Sequence, residues 1–225
     1  MDMIEFDDKV VVVSGTAGVL GKAVGRAFHE SGATVIGIDV IEHPAPFKTL
    51  QLDLLDLTQA KQAIAGLSSV NILANIAGGF TMGETVAETT DETWDYMMNL
   101  NVRTMLNLVR AVVPMMRASG EGGKIVNVGA HGALHGSARM GPYVASKSAV
   151  IRTTESLAAE LKQDGINVNC VLPSIIDTAR NREDMPNANF SQWVRPGALA
   201  QVVLFLASAG ADPIHGAAIP VTGLV

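Results

Sequence analysis

Val10-Val11-Val12-Val13-Ser14-Gly15-Thr16-Ala17-Gly18-Val19-Leu20-Gly21 is the stretch from which the fold is read. A run of valines makes a strand with no polar face, so both of its faces must be buried. Glycines at 15, 18 and 21 then let the chain turn sharply, and helical periodicity follows over residues 20–31. A strand, a glycine-rich turn and a helix bring unpaired backbone N–H groups and the positive end of a helix dipole to one point, where a phosphate fits. Spacing alone would also suit an ordinary tight turn, since 22 glycines are scattered through the chain. The flanking strand and helix give the phosphate reading its weight.

Outward from this unit the same alternation recurs. Thr34-Val35-Ile36-Gly37-Ile38, Asn71-Ile72-Leu73-Ala74, Lys124-Ile125-Val126-Asn127-Val128, residues 166–172 and Ala218-Ile219-Pro220-Val221 have strand character. Residues 58–67, 91–119, 143–164 and 196–208 have helical character. Strands alternating with helices predict an α/β fold: one single-domain, Rossmann-type, doubly wound parallel sheet over residues 1–225, with helices on both faces. The one irregular stretch, residues 174–195, follows a strand end and is expected to be a loop covering the substrate, the plainer alternative being a variable surface loop.

Composition narrows the function. With 16 basic and 22 acidic residues, a net charge of −6 gives no electrostatic reason to bind nucleic acid or an anionic membrane. Cys170, the only cysteine, sits in an apolar run and reads as a small core residue; no His, Cys and carboxylate cluster has metal-ligand spacing. The N-terminus Met1-Asp2-Met3-Ile4-Glu5 is acidic where a signal peptide would be basic, and the expected location is cytoplasmic.

Two further features point to chemistry. Asp39 ends the second strand, where a carboxylate accepts hydrogen bonds from ribose hydroxyls and repels a 2′-phosphate, so NAD(H) is expected over NADP(H); a loop-capping aspartate is the alternative. Asp53, after the next short apolar stretch, is a candidate for the adenine edge. Tyr143 and Lys147 open a helix four residues apart and share a face, and an ammonium beside a phenol favours the phenolate, which makes a tuned acid/base; an ordinary exposed helix pair is the alternative.

In the order glycine turn, Asp39, Asn75-Ile76-Ala77-Gly78, Asn101, Tyr143-x-x-x-Lys147 and residues 173–178, essentially the whole chain resembles the short-chain dehydrogenase/reductase family. The resemblance implies that Gly15, Gly18, Val19, Leu20 and Gly21 meet the cofactor phosphates, that Asn75 and Gly78 hold the central sheet near the adenosine ribose, and that Pro173, Ile176 and Thr178 meet the nicotinamide. It also implies that Tyr143 is the acid/base, that Lys147 binds the nicotinamide ribose and lowers the tyrosine pKa, and that Asn101 orders a proton-relay water. A homodimer or homotetramer is implied in the same way.

Two positions depart from the family pattern. The central glycine of the turn stands at 18 where the family usually has it at the position of Val19, and the carbonyl-polarising serine expected 13 residues before the tyrosine is Ala130. Dihydropteridine reductases, a subgroup, share that alanine, and the similarity extends to Ala77-Gly78-Gly79, Leu172-Pro173, Asp177-Thr178, Asn181-Arg182, Met185-Pro186 and Phe190-Ser191-Gln192-Trp193, whereas Asn75 and Asn101 do not follow that subgroup. A missing hydroxyl removes a hydrogen bond to the reacting oxygen. The expected reaction is therefore hydride transfer from NADH to a conjugated small molecule, quinonoid dihydropterin-like or quinone-like. Secondary alcohol or ketone chemistry without the serine, and a silent NAD-binding sensor or scaffold, remain the alternatives. His131, Arg182 and Trp193 are substrate-contact candidates beside Ala130, each with a plainer surface or loop-anchoring reading.

Overall fold

The computed structural model describes residues 5–225; the quoted Met1 to Ile4 lie outside them. Seven parallel strands, β1 (Val10–Ser14), β2 (Thr34–Asp39), β3 (Lys48–Gln51), β4 (Ile72–Asn75), β5 (Gly123–Val128), β6 (Ile166–Pro173) and β7 (Ala218–Val221), form one sheet in the order β3-β2-β1-β4-β5-β6-β7. The helices are α1 (Val19–Glu30), α2 (Leu57–Ala65), α3 (Asp91–Met98), α4 (Thr104–Ser119), α5 (Gly141–Leu161), α6 (Ala179–Asp184) and α7 (Pro196–Ala207).

The valine run shows why the sheet is covered on both sides. Val11, Val12 and Val13 are all fully buried, yet successive strand side chains point to opposite faces. Val11 and Val13 join Val24 and Phe28 of α1 and Leu199 and Val203 of α7 in one apolar layer. Val12 joins Ile64 of α2, Leu108 and Val112 of α4 and Ile151 of α5 in the other. Strand order reverses between β1 and β4, so the loops leaving their C-terminal ends diverge and open a crevice there.

The structure differs from the sequence expectation in three places. β3 was not expected, because Lys48-Thr49-Leu50-Gln51 has no apolar run; it is an edge strand, partly exposed, held by its register with β2. The helix expected over residues 91–119 is interrupted between α3 and α4 by a π-helical turn, Asn99–Arg103, with Asn101 buried in it. Such turns widen the helix by one residue and recur at functional sites. Residues 174–195 are not an irregular loop: they hold α6, a 3-10 turn at Phe190–Gln192 and a parallel bridge from Ile176 to Val194.

Candidate active site

The cleft at the crevice has a volume of about 600 Å³. From the glycine turn, Gly15, Gly18, Val19, Leu20 and Gly21 line it. Gly15 takes φ 72°, a left-handed conformation, and a Cβ there would lie 2.8 Å from the Ala77 backbone. At Gly21 a Cβ would lie 2.0 Å from the Gly15 carbonyl oxygen, so α1 starts directly against the turn. Gly18 caps α1 without any side-chain hydrogen bond, which leaves the first-turn N–H groups open to an anion.

Asp39 lines the cleft too, but it also braces the turn: Oδ2 accepts the Ala17 N–H at 2.9 Å and Oδ1 accepts the Ile41 N–H at 3.3 Å. Capping and cleft-lining, alternatives in the sequence, are thus combined in one carboxylate. Gly78, Ile176 and Thr178 complete the predicted residues on the wall. Asp53 is exposed, its Oδ1 accepts the Leu55 N–H at 2.9 Å, and its neighbours Leu52 and Leu54 line the cleft in its place. Asp53 lies two residues past the end of β3, where its side chain and carbonyl cap the turn that leads into α2.

Two buried polar chains hold α5 against the sheet. In the first, Asn75 Nδ2 donates to Asn127 Oδ1 at 2.8 Å, Asn127 Nδ2 donates to Thr154 Oγ1 at 2.9 Å, and the Thr154 hydroxyl donates to the Val150 carbonyl. Asn75 is therefore a tie from β4 through β5 to α5 and does not itself line the cleft. In the second, Asn101 Nδ2 donates to Ser146 Oγ at 2.9 Å and to the Gly79 carbonyl at 3.1 Å, while its Oδ1 accepts the Gly79 N–H at 2.9 Å. The Ser146 hydroxyl then donates to the Tyr143 carbonyl. The Asn101 side chain is occupied in pinning the 78–79 backbone to the first turn of α5.

These ties fix Tyr143 and Lys147, which with Asn101 stand beside Gly78 and Gly79 and are not themselves among the residues that line the cleft. Lys147 is 5% exposed and its Nζ donates to the Val128 carbonyl at 2.9 Å. A Cβ at Gly78 would stand 3.0 Å from that Nζ and 2.7 Å from Asn101 Oδ1, so only glycine leaves room for the pair. Burial lowers the Lys147 ammonium to about 8. Burial also pushes the Tyr143 phenol up to about 12, against the lowering expected from the sequence. The reason is geometric: the lysine reaches for the end of β5, the Phe80 ring packs edge-on against the tyrosine at 4.8 Å, and desolvation outweighs the ammonium. The buried Cys170 thiol, pushed up to about 11, accepts the Gly129 N–H and stays neutral.

The substrate candidates separate. Ala130 is 4% exposed at the end of β5. His131 is exposed on the 3-10 turn that follows. Arg182 and Trp193 do not line the cleft: Arg182 Nε and Nη2 donate to the two Asp177 oxygens at 2.6 and 2.8 Å and its guanidinium lies 4.9 Å from the Phe190 ring centroid. The Asp177 carboxyl is held below its usual value by that guanidinium. Trp193 is 5% exposed and packs against Phe190 with ring centroids 4.8 Å apart and planes tilted by 55°. Both side chains are engaged in folding residues 174–195. Pro173 is buried at the end of β6, paired with Val221. Arg180, which borders the cleft, was missed in the sequence; its signal was its place two residues after Thr178. Among the described residues no group of three or more His, Cys, Asp or Glu could hold a metal, and no helix is long and apolar enough to cross a membrane.

Comparison with known proteins shows the family. A family model described as short chain dehydrogenase matches residues 9–189. Dehydrogenase/reductase SDR family member 6 of Rattus norvegicus is 33% identical over 189 residues, covering 80% of this chain and 76% of that protein. The 2-dehydro-3-deoxy-D-gluconate 5-dehydrogenase of Dickeya dadantii is 28% identical over 247 residues, covering 99% of this chain and 97% of that protein. Among solved structures, carveol dehydrogenase from Mycobacterium avium in complex with NAD superposes with a TM-score of 0.89 at 26% identity, over 98% of each chain. A gluconate 5-dehydrogenase from Burkholderia cenocepacia in complex with NADP and tartrate gives a TM-score of 0.89 at 25% identity, covering 97% of this chain and 95% of that one.

Proposed function

The chain belongs to the short-chain dehydrogenase family and is an oxidoreductase of small molecules; from that premise we propose that it reduces a conjugated acceptor with NADH, Tyr143 supplying the proton. The observation that carries the reading is Ala130, buried at the end of β5 and without a hydroxyl, in a chain that keeps Tyr143 half-buried in the first turn of α5. When bound, the nicotinamide supplies the hydride. The Gly15 to Gly21 turn and the α1 N-terminus hold the cofactor phosphates. The fit rests on the cradle: added Cβ atoms at Gly15 and Gly21 would clash with backbone, and one at Gly78 would crowd Lys147 and Asn101.

A phenol at about 12 is protonated at neutral pH and is a proton donor for reduction. Lys147, still an ammonium at pH 7, binds ribose hydroxyls and stabilises the phenolate left behind. Asn101 holds this row in place through its bonds to Gly79 and Ser146. Residue 130 offers the substrate oxygen no hydroxyl, so an acceptor already activated by conjugation loses less than a plain ketone does. Residues 174–195 close the far wall and cover the substrate. The Asp39 carboxylate favours a free ribose 2′-hydroxyl, hence NADH over NADPH. Self-association belongs to the same reading, with Trp94 and Tyr96 of α3 exposed.

The names of the sugar-acid relatives favour a second reading, oxidation of a secondary alcohol or reduction of its ketone. Initial rates of NADH oxidation with quinonoid dihydropterin, a simple quinone and a set of aliphatic and sugar ketones separate the two. The first reading expects the conjugated acceptors to rank highest, with Ala130→Ser raising ketone rates selectively; faster ketone turnover in the unmodified protein rejects it.

A further inference from the structure

Among the residues lining the cleft, Arg180 alone carries a positive side chain. It lies on α6, on the wall across from the glycine turn, and its side chain is 81% exposed. Its Nε donates to both carboxylate oxygens of Asp184, at 3.2 and 2.9 Å, one helical turn further on. No hydrogen bond engages either Nη among the described residues. A solvent-exposed pair of this spacing is weak and easily exchanged.

The opposite wall meets an anion only with backbone N–H groups and a helix terminus, while Asp39 adds a negative charge to the same cleft. A dinucleotide brings two phosphate charges into that space. An arginine presents a planar fork of N–H donors that matches phosphate oxygens, and such charge-assisted bonds outlast an exposed carboxylate pair once they are partly shielded from water.

We propose that Arg180 leaves Asp184 and clamps the cofactor diphosphate from the α6 side, with Asp184 as its resting partner. The proposal rests on the cofactor reading above and adds to it a side-chain cation on the wall formed by residues 174–195.

Fluorescence titration with NADH and NADPH, with competition by ADP and by adenosine, on the unmodified protein, Arg180→Ala and Asp184→Ala tests it. Arg180→Ala is expected to weaken NADH and ADP about tenfold and to leave adenosine unchanged. Asp184→Ala removes the same ion pair but keeps the cation, and is expected to bind NADH as tightly as the unmodified protein or more tightly. Unchanged NADH affinity in Arg180→Ala rejects the clamp. So does an equal loss in Asp184→Ala, which makes the pair a structural brace of α6, and so does a loss confined to NADPH, which places the cation on a 2′-phosphate. Failure of the unmodified protein to bind NADH, NADPH or ADP overturns the cofactor reading and the clamp together, whereas tight binding that survives Arg180→Ala overturns the clamp alone.

Discussion

On one wall of the cleft, between β1 and α1, the working surface is backbone: three glycines, one of them at φ 72°, and N–H groups that no side chain caps. On the other wall, residues 174–195, the surface is set by side chains that hold one another. Arg182 grips Asp177 and lies over Phe190, Phe190 packs at a tilt against Trp193, and the Ile176 to Val194 bridge closes the segment. The backbone wall has no room for change at Gly15 or Gly21. The side-chain wall uses its most conspicuous residues to fold itself and leaves cleft contact to Ile176, Thr178, Ala179 and Arg180. A residue that looks chemically active in a sequence is thus as readily engaged in building a wall as in acting from it.

The contrast breaks most sharply at Gly21→Ala. Its methyl carbon would overlap the Gly15 carbonyl at 2.0 Å, with rigid backbone on both sides. A loss of about 3 kcal/mol or more in urea unfolding, together with loss of NADH binding, is expected; near-normal stability would show that the turn yields. Next is Trp193→Ala on the other wall, where removing a nearly buried ring is expected to cost about 3 kcal/mol and to raise the KM for acceptor. Normal stability with altered acceptor preference would instead make Trp193 a substrate contact.

The smallest effect is expected between the walls, at Lys147. An ammonium titrating at about 8 in the fold and about 10.5 unfolded destabilises the native state at pH 7 by roughly 3 kcal/mol. Lys147→Met relieves that cost but leaves the Val128 carbonyl without its partner, a loss of about 1–2 kcal/mol. A net gain of about 1 kcal/mol at pH 7 is expected, with activity abolished. The sign of its pH dependence follows from the lowered native pKa. The unfolded chain holds the proton between about 8 and 10.5 while the native one has released it, so the cost is full below 8 and fades as pH rises. Urea midpoints at pH 7 and 10 check this; an advantage that grows with pH would contradict it.

The same contrast explains what the sequence revealed. Turn, strand and helix requirements at residues 10–21 are local, so β1, the turn and α1 could be read in place. β3 could not, because Lys48-Thr49-Leu50-Gln51 becomes a strand only through its register with β2. The π-helical turn at Asn101 was hidden for a similar reason: its cause is the bond network to Gly79 and Ser146, far away in sequence. Tyr143 and Lys147 were found by spacing, but their proton affinities depend on Phe80, Gly78 and Val128, which no local pattern brings together. Asp53 is turned to the surface because it caps the turn after β3, and Arg180 reaches the cleft only through the fold of residues 174–195, which no local pattern distinguishes from the surroundings of Arg182.

The central claim is that Tyr143 moves the proton at a cleft that holds NADH independently of it. Single-turnover oxidation of bound NADH by a conjugated acceptor, measured for the unmodified protein and Tyr143→Phe at pH 7, tests this directly. The account predicts NADH affinity within about twofold of the unmodified protein and a rate lower by at least about 100-fold. Unchanged turnover with bound NADH would contradict it.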